Sequence, residues 1–493
     1  MINVVPEFAA RSLLRLGCLL SAGCAVLAIL GCAAADDAGQ LPDVTASSSS
    51  EAAGDAFPGE EWAWAECPEV LGWSSGKLAA AQSFSRTIGT AAVMIIEDGV
   101  VVDAWGDLTT NYHCHSMRKS LLSALYGIYV GDGAIDITWT LGDLGITERL
   151  TTLTQTESQA TVADLLKARS GVYIRAAGEA QSMVEMRPER GSHAPGTFWY
   201  YNNWDFNVLG TIFDQESGAD SIYAAFQERI AEPIGMQDFH PEEHAYSYDF
   251  FSIHPYYGFN LSTRDLARFG LLFLREGRWR DVQIVPAEWV SESTADHSMT
   301  GPESGYGYMW WTGNGEGLFP NVRVAGHSYY ASGYRGHLVV VLPYRRLVVV
   351  HRVDTFGYDD EVTNTEFGVL LWRLLDAAGE TNIGEPPLIE WAPGELLAGE
   401  DLRAMIAGAH LRFTVYSTQA DALFDDDGTV RILVNGELVT EGTWSIEGED
   451  LTVVAPGLET GGALKVVQDG STLRFFEQNG ILSNTFEIVN EDR

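Results

Sequence analysis

The chain has 493 residues, 46% of them hydrophobic, which is long enough to bury a large core and too apolar for general disorder. Aspartate and glutamate outnumber lysine and arginine 68 to 30, a net charge of -38 that argues against nucleic acid or an anionic membrane surface as a partner and for high solubility. Positive charge is carried almost wholly by arginine, because the only lysines are Lys77, Lys119, Lys167 and Lys465.

In chain order, Arg11 and Arg15 precede an apolar run over residues 16–30 that ends Ile29-Leu30-Gly31-Cys32. Residues 1–32 therefore read as a bacterial secretion signal with a lipobox-like end, placing a lipid on Cys32 and the protein in the cell envelope. An ordinary signal or a short membrane anchor fits the same pattern. Membrane contact is then expected only through this lipid anchor or an uncleaved signal. Residues 33–60, rich in Ala, Asp, Gly and Ser, form a flexible linker. Cys67 and Cys114 are either an envelope disulfide or two buried thiols, and no cysteine spacing suits a metal.

Gly72-Trp73-Ser74-Ser75-Gly76 matches G-x-S-x-G, the nucleophile elbow, but no buried strand precedes it. It reads instead as the start of a helix near Lys77, capped by Ser74 or Ser75. Residues 92–96 and 100–104 flank Glu97-Asp98-Gly99 and predict a β-hairpin. In residues 115–130, Leu121, Leu122, Leu125, Ile128 and Tyr129 recur at helical spacing, so the segment predicts a buried helix with Ser116 and Lys119 in its first turn.

Helices are predicted over residues 161–169, 221–231, 262–275 and 366–377, and strands over 337–342 and 346–352. Strands at both ends of a helical middle predict one antiparallel sheet built from the two termini of a domain spanning 61–380. Residues 381–400 shift to Gly, Pro and Glu and read as a linker. Residues 401–493 carry turn signals at Asp427-Gly428, Asn435-Gly436 and Gly448-Glu449-Asp450, which predicts a small lipocalin-like β-meander or partly closed barrel. Asp425-Asp426-Asp427-Gly428 lacks the glutamate a calcium loop needs and is read as a turn.

A serine hydroxyl becomes a nucleophile only when something takes its proton, and an amine serves only with a depressed pKa. Burial, the adjacent Arg118 and a helix N-terminus all act in that direction at Lys119. A second cluster, residues 196–210, contains Tyr201 and Asn203, which read on their own as one aromatic among many and as a helix cap. A third, Ala331-Ser332-Gly333-Tyr334-Arg335-Gly336, precedes the final strand pair. His113 and His115 flank the nucleophile without a third ligand at suitable spacing, so neither a metal nor another cofactor is implied.

In order and spacing, these clusters resemble the serine hydrolases of the penicillin-recognising, class C β-lactamase-like superfamily. Ser116-Met117-Arg118-Lys119 matches S-x-x-K, Tyr201-Asn202-Asn203 matches Y-x-N, and Ala331-Ser332-Gly333 stands where that family has K-T-G or H-x-G. The resemblance covers residues 62–378. It implies an α+β fold, a β-lactamase/transpeptidase-like antiparallel sheet flanked by helices with an inserted helical region.

The roles it implies are an acylated Ser116, proton transfer shared by Lys119 and Tyr201, and Asn203 holding both Lys119 and the substrate. The N–H groups of Ser116 and Tyr334 would form the oxyanion hole, beside Ser332 and Gly333. Ala331 departs from the family's cation at that position and forfeits a charged hydrogen bond worth on the order of 1.5–3 kcal/mol to a substrate carboxylate. That favours the branch resembling 6-aminohexanoate-dimer hydrolases, acting on a small ester or amide. A D-alanyl-D-alanine carboxypeptidase, a β-lactamase and a non-catalytic envelope binding protein are the alternatives. Arg335 either restores the missing cation or points away along its strand. Tyr173 and Arg175 line the pocket in one reading and form a plain loop in the other.

Overall fold

The computed structural model describes residues 56–489, apart from 302–303, 321, 357–360, 385–386, 389–391, 393, 416–417, 435, 456–462 and 478–479. The expected signal, Cys32 and most of the 33–60 linker lie outside the described residues. Where G-x-S-x-G suggested a helix start, Ser74 caps helix α1 (Ser75–Thr87), its hydroxyl accepting from the Lys77 N–H. The expected hairpin follows as β1 (Thr90–Glu97) and β2 (Val100–Gly106). The inserted region supplies α2 (Arg118–Gly131), α3 (Val162–Leu166), α4 (Asn203–Glu216) and α5 (Thr263–Leu274). Strands β3 (Ser298–Met299), β4 (Ser304–Tyr306), β5 (Trp311–Phe319), β6 (Val322–Gly333), β7 (His337–Leu342) and β8 (Leu347–Val353) complete the sheet, and α6 (Asn364–Ala377) follows.

The sheet runs β2-β1-β8-β7-β6-β5-β4-β3, antiparallel throughout. It joins the first two strands of the body to the last two, as the sequence predicts. Residues 92–96 are all buried because successive side chains enter two different cores. Met94 and Ile96 join Val339, Val341, Val348 and Val350 beneath α2 and α5. Val93 and Ile95 join Leu338, Val340 and Val349 beneath α1 and α6.

Two expectations are corrected. The helix predicted over 221–231 is α-helical only at Ile222–Phe226, then widens into a π-turn, Gln227–Ala231. Pro233 has no N–H for the carbonyl four residues back, and the Glu232 N–H bonds instead to Gln227 five residues back. The linker at 381–400 also runs directly into structure: β9 (Glu395–Leu396) and α7 (Gly399–Ile406) precede the C-terminal strands.

Those strands are β10 (His410–Val415), β11 (Thr418–Phe424), β12 (Thr429–Val434), β13 (Glu437–Glu447), β14 (Asp450–Val454), β15 (Ala463–Asp469), β16 (Thr472–Phe476) and β17 (Leu482–Ile488). Each pairs with the next, and β17 pairs back onto β10, so the eight form a closed barrel; β9 pairs with β15 beside it. Its interior is filled by Leu411, Phe413, Val430, Leu451, Val466 and Phe475 among others. The Asp425–Gly428 segment is the turn expected, Asp427 accepting from the Thr429 N–H.

Helix α5 reaches the sheet closely enough that a Cβ on Gly270 would meet Val348 Cγ1 at 2.5 Å and Val339 Cγ1 at 3.0 Å. Gly270→Val is therefore expected to lower unfolding stability by about 1–3 kcal/mol through overpacking, read as a lower urea midpoint at unchanged slope.

Candidate active site

Ser116 lies in a 3-10 turn, His115–Met117, immediately ahead of α2, and the tight winding brings residues three apart onto one side. The chain reaches this turn under restraint. Buried Arg352 on β8 donates to the carbonyls of Tyr112 and His113 at 3.0 Å and of Leu261 at 2.7 Å, and the Cys114 N–H donates to Phe259 O. From the other side, a Cβ on Gly333 would stand 2.5 Å from the Cys114 carbonyl oxygen. Only glycine lets the end of β6 lie this close to the nucleophile turn. Cys114 is a free, buried thiol and so does not pair with Cys67.

Lys119 Nζ lies 2.6 Å from Ser116 Oγ and 2.8 Å from the Tyr201 hydroxyl. The lysine is 2% exposed, and among the described residues no carboxylate bonds to it. Burial, reinforced by the charge of Arg118, holds its pKa well below the ordinary lysine value. Arg118 is itself fully buried, its guanidinium set 4.1 and 4.0 Å from the Tyr256 and Tyr257 ring centroids and donating to Asn207 Oδ1 at 3.0 Å. Burial pushes the Tyr201 phenol up to about 12, against the opposing pull of its bond to Ser116 and of the Arg118 charge. Both shifts favour an uncharged pair, a free amine beside a protonated phenol, and the proton belongs to the couple. Tyr201 is held in place by stacking on Trp311 at 5.5 Å.

These residues open onto a cleft of about 870 Å³. Ser116, Lys119, Tyr201, Asn203, Ser332, Gly333 and Tyr334 all line it, so the three sequence clusters meet in one place. The cap on α4 is Asn202, whose side-chain oxygen accepts from the Trp204 N–H, and this frees Asn203 for the cleft. The amide of Asn203 donates to Met183 Sδ at 3.3 Å rather than to Lys119, and its Oδ1 is buried with no partner among the described residues.

Tyr173 is corrected. It lies outside the lining, buried behind Tyr200 and His193 at ring distances of 5.9 and 6.1 Å. Arg175 also lies outside the lining, its guanidinium over Phe251. Ala331 adds its methyl to the core beneath α2, whereas Arg335, at a left-handed turn with φ 65°, lines the cleft. Trp199, Tyr200, Tyr256, Trp311, Met183 and Met186 build an apolar wall. Of these, Trp199 and Tyr200 belonged to the aromatic stretch 196–210, and the others had no local signal. Among the described residues no cluster suits a metal ion.

Fold and site together define the class: a serine hydrolase or acyl-transferase of the β-lactamase/transpeptidase superfamily. The β-lactamase family profile matches residues 76–369, more than half of the chain, and the protein belongs to that family. Among solved structures it is similar to a putative 6-aminohexanoate-dimer hydrolase from Bacillus anthracis, at 17% identity and TM-score 0.46, covering 60% of this chain and 81% of that one. It is also similar to an octameric penicillin-binding protein homologue from Pyrococcus abyssi, at 16% identity and TM-score 0.48, covering 84% and 99%. A class C β-lactamase mutant matches at 13% identity and TM-score 0.45, covering 62% and 98%. No curated protein matches.

An amine with a lowered pKa has its lone pair only above that pKa, so acidification through it removes the proton acceptor. Turnover is expected to fall on the acid side, and Lys119→Arg, which cannot deprotonate, to lose about 10²–10⁴-fold in kcat. The unfolded chain binds a proton at Lys119 that the folded chain refuses, so the residue costs stability below pH 10. Lys119→Met is therefore expected to be inactive yet to melt at a higher temperature at pH 7.

Proposed function

We propose that the protein cleaves a small ester or amide through a covalent acyl-enzyme on Ser116. The observation that carries this reading is the hydrogen-bonded set Ser116, Lys119 and Tyr201 on the wall of a largely apolar cleft. The Lys119–Tyr201 couple takes the Ser116 proton as Oγ attacks the carbonyl carbon, then delivers it to the leaving alcohol or amine. Ser116 and Tyr334 offer their N–H groups to the oxyanion, and the contact between Gly333 and the Cys114 carbonyl supports their closeness. Asn203, which lines the cleft beside Tyr201, holds the carbonyl side of the substrate. Water then attacks the ester carbonyl and releases Ser116.

The buried methyl of Ala331 supports the esterase or amidase branch, since no cation reaches the cleft from that position. Arg335 at the cleft favours the second reading, a carboxypeptidase or β-lactamase that holds a substrate carboxylate. The pattern of residues 1–32 supports an envelope location with a lipid on Cys32.

Ser116→Ala is expected to lower turnover of a chromogenic short-chain ester by about 10⁴–10⁶-fold. A variant retaining most of its activity overturns the acyl-enzyme. Stable labelling of Ser116 by a fluorescent penicillin supports the second reading, and wild-type protein inert to serine-reactive probes points to a binding protein.

A further inference from the structure

His115, the residue before the nucleophile, lines the cleft and has φ 47°, the left-handed region in which a histidine is uncommon. Its ring is fixed on several sides, 5.1 Å from His337, 5.6 Å from His113 and 5.9 Å from Tyr334. Three hydrogen bonds lead to it in line. Arg352 Nε donates to His337 Nδ1 at 3.1 Å, His337 Nε2 lies 3.5 Å from Thr355 Oγ1, and Thr355 Oγ1 lies 3.0 Å from His115 Nε2.

The direction of this chain is fixed at its head, because a guanidinium can only donate. His337 therefore accepts at Nδ1 and, being uncharged, carries its proton on Nε2, which faces the Thr355 oxygen. The threonine proton has one remaining partner, His115 Nε2. His115 then carries its own proton on Nδ1, which has no partner among the described residues. Both rings are neutral near pH 7. Burial, aided by the Arg352 charge, holds His337 well below its ordinary value, and burial with the charges of His113, Arg352, Arg335 and Lys119 holds His115 to about 4.

We infer that His115 is a specificity-determining donor, presenting Nδ1–H of a tautomer fixed by the Arg352–His337–Thr355 chain to an acceptor oxygen of the bound ester or amide. This rests on the acyl-enzyme reading above. A neutral ring that already carries its proton on the free nitrogen cannot be the base there, so its part is binding.

Asparagine and glycine both accept a positive φ, so two variants separate the donor from the backbone. Asparagine keeps an N–H near the Nδ1 position, and glycine removes it. With 4-nitrophenyl butyrate, His115→Gly is expected to lower kcat/KM about 3–10-fold and His115→Asn to stay within about 2-fold of wild type. Thr355→Val is expected to lower kcat/KM in the wild-type background, where it releases the tautomer, and to have no effect in the His115→Asn background. A glycine variant as active as wild type, an asparagine variant as slow as glycine, or an equal effect of Thr355→Val in both backgrounds overturns the inference. Ser116→Ala in the same assay keeps the two readings apart: if it abolishes turnover while the His115 variants are unchanged, only the role of His115 fails.

Discussion

The reactivity of Ser116 depends on the desolvation of one amine. An ammonium at Lys119 would be buried beside a second fixed cation with no carboxylate among the described residues to meet it, so the fold holds its pKa well below the ordinary lysine value. Arg118 makes this possible because it is held without an acid, its guanidinium between two tyrosine faces and one of its nitrogens donating to a neutral amide. A carboxylate next to Arg118 would settle that guanidinium more firmly and at the same time restore the lysine's proton. The aromatic solution keeps the field positive where a lone pair is wanted.

The scaffold sets the nucleophile turn through backbone contacts more than side-chain ones. Arg352 reaches from β8 to three carbonyls around the turn, and Gly333 brings β6 within contact of the Cys114 carbonyl. Both strands lie inside a sheet covered on its two faces, so the turn inherits the rigidity of the two cores. Arg352 also heads the hydrogen-bond chain to His115. One buried guanidinium thus bears on the geometry of both Ser116 and its neighbour.

The sequence showed what is local. Ser116 and Lys119 are three apart on a segment with a clear helical period, and the hairpin at Glu97-Asp98-Gly99 is written in its turn residues. Tyr201 and the third cluster could be joined to them only by resemblance, because nothing local records which segments meet across a fold. Asn202 and Asn203 show the finer limit. Adjacent residues at a helix start differ by about 100° in direction, so composition cannot say which amide caps and which faces a cleft. The long pair β5 and β6 has no alternating apolar pattern to announce it, because Gly313, Gly315 and Gly317 interrupt the strand, yet a Cβ on Gly313 would meet Leu318 at 2.8 Å. Helix α7 was hidden by the Gly and Pro of the segment before it. The aromatic wall draws on positions from 183 to 311 with no common period.

Seven of the eight junctions in the C-terminal barrel join neighbours along the chain, and one does not: Leu411 and Arg412 meet Ile488 and Glu487. Hairpins close quickly, whereas bringing the two outermost staves together carries a loop-entropy cost that the others avoid. Sealing this seam thus carries the largest loop-entropy cost in assembling the cylinder. Before it happens, β10 and β17 each expose a row of unsatisfied amides and carbonyls, open to any passing strand of another molecule.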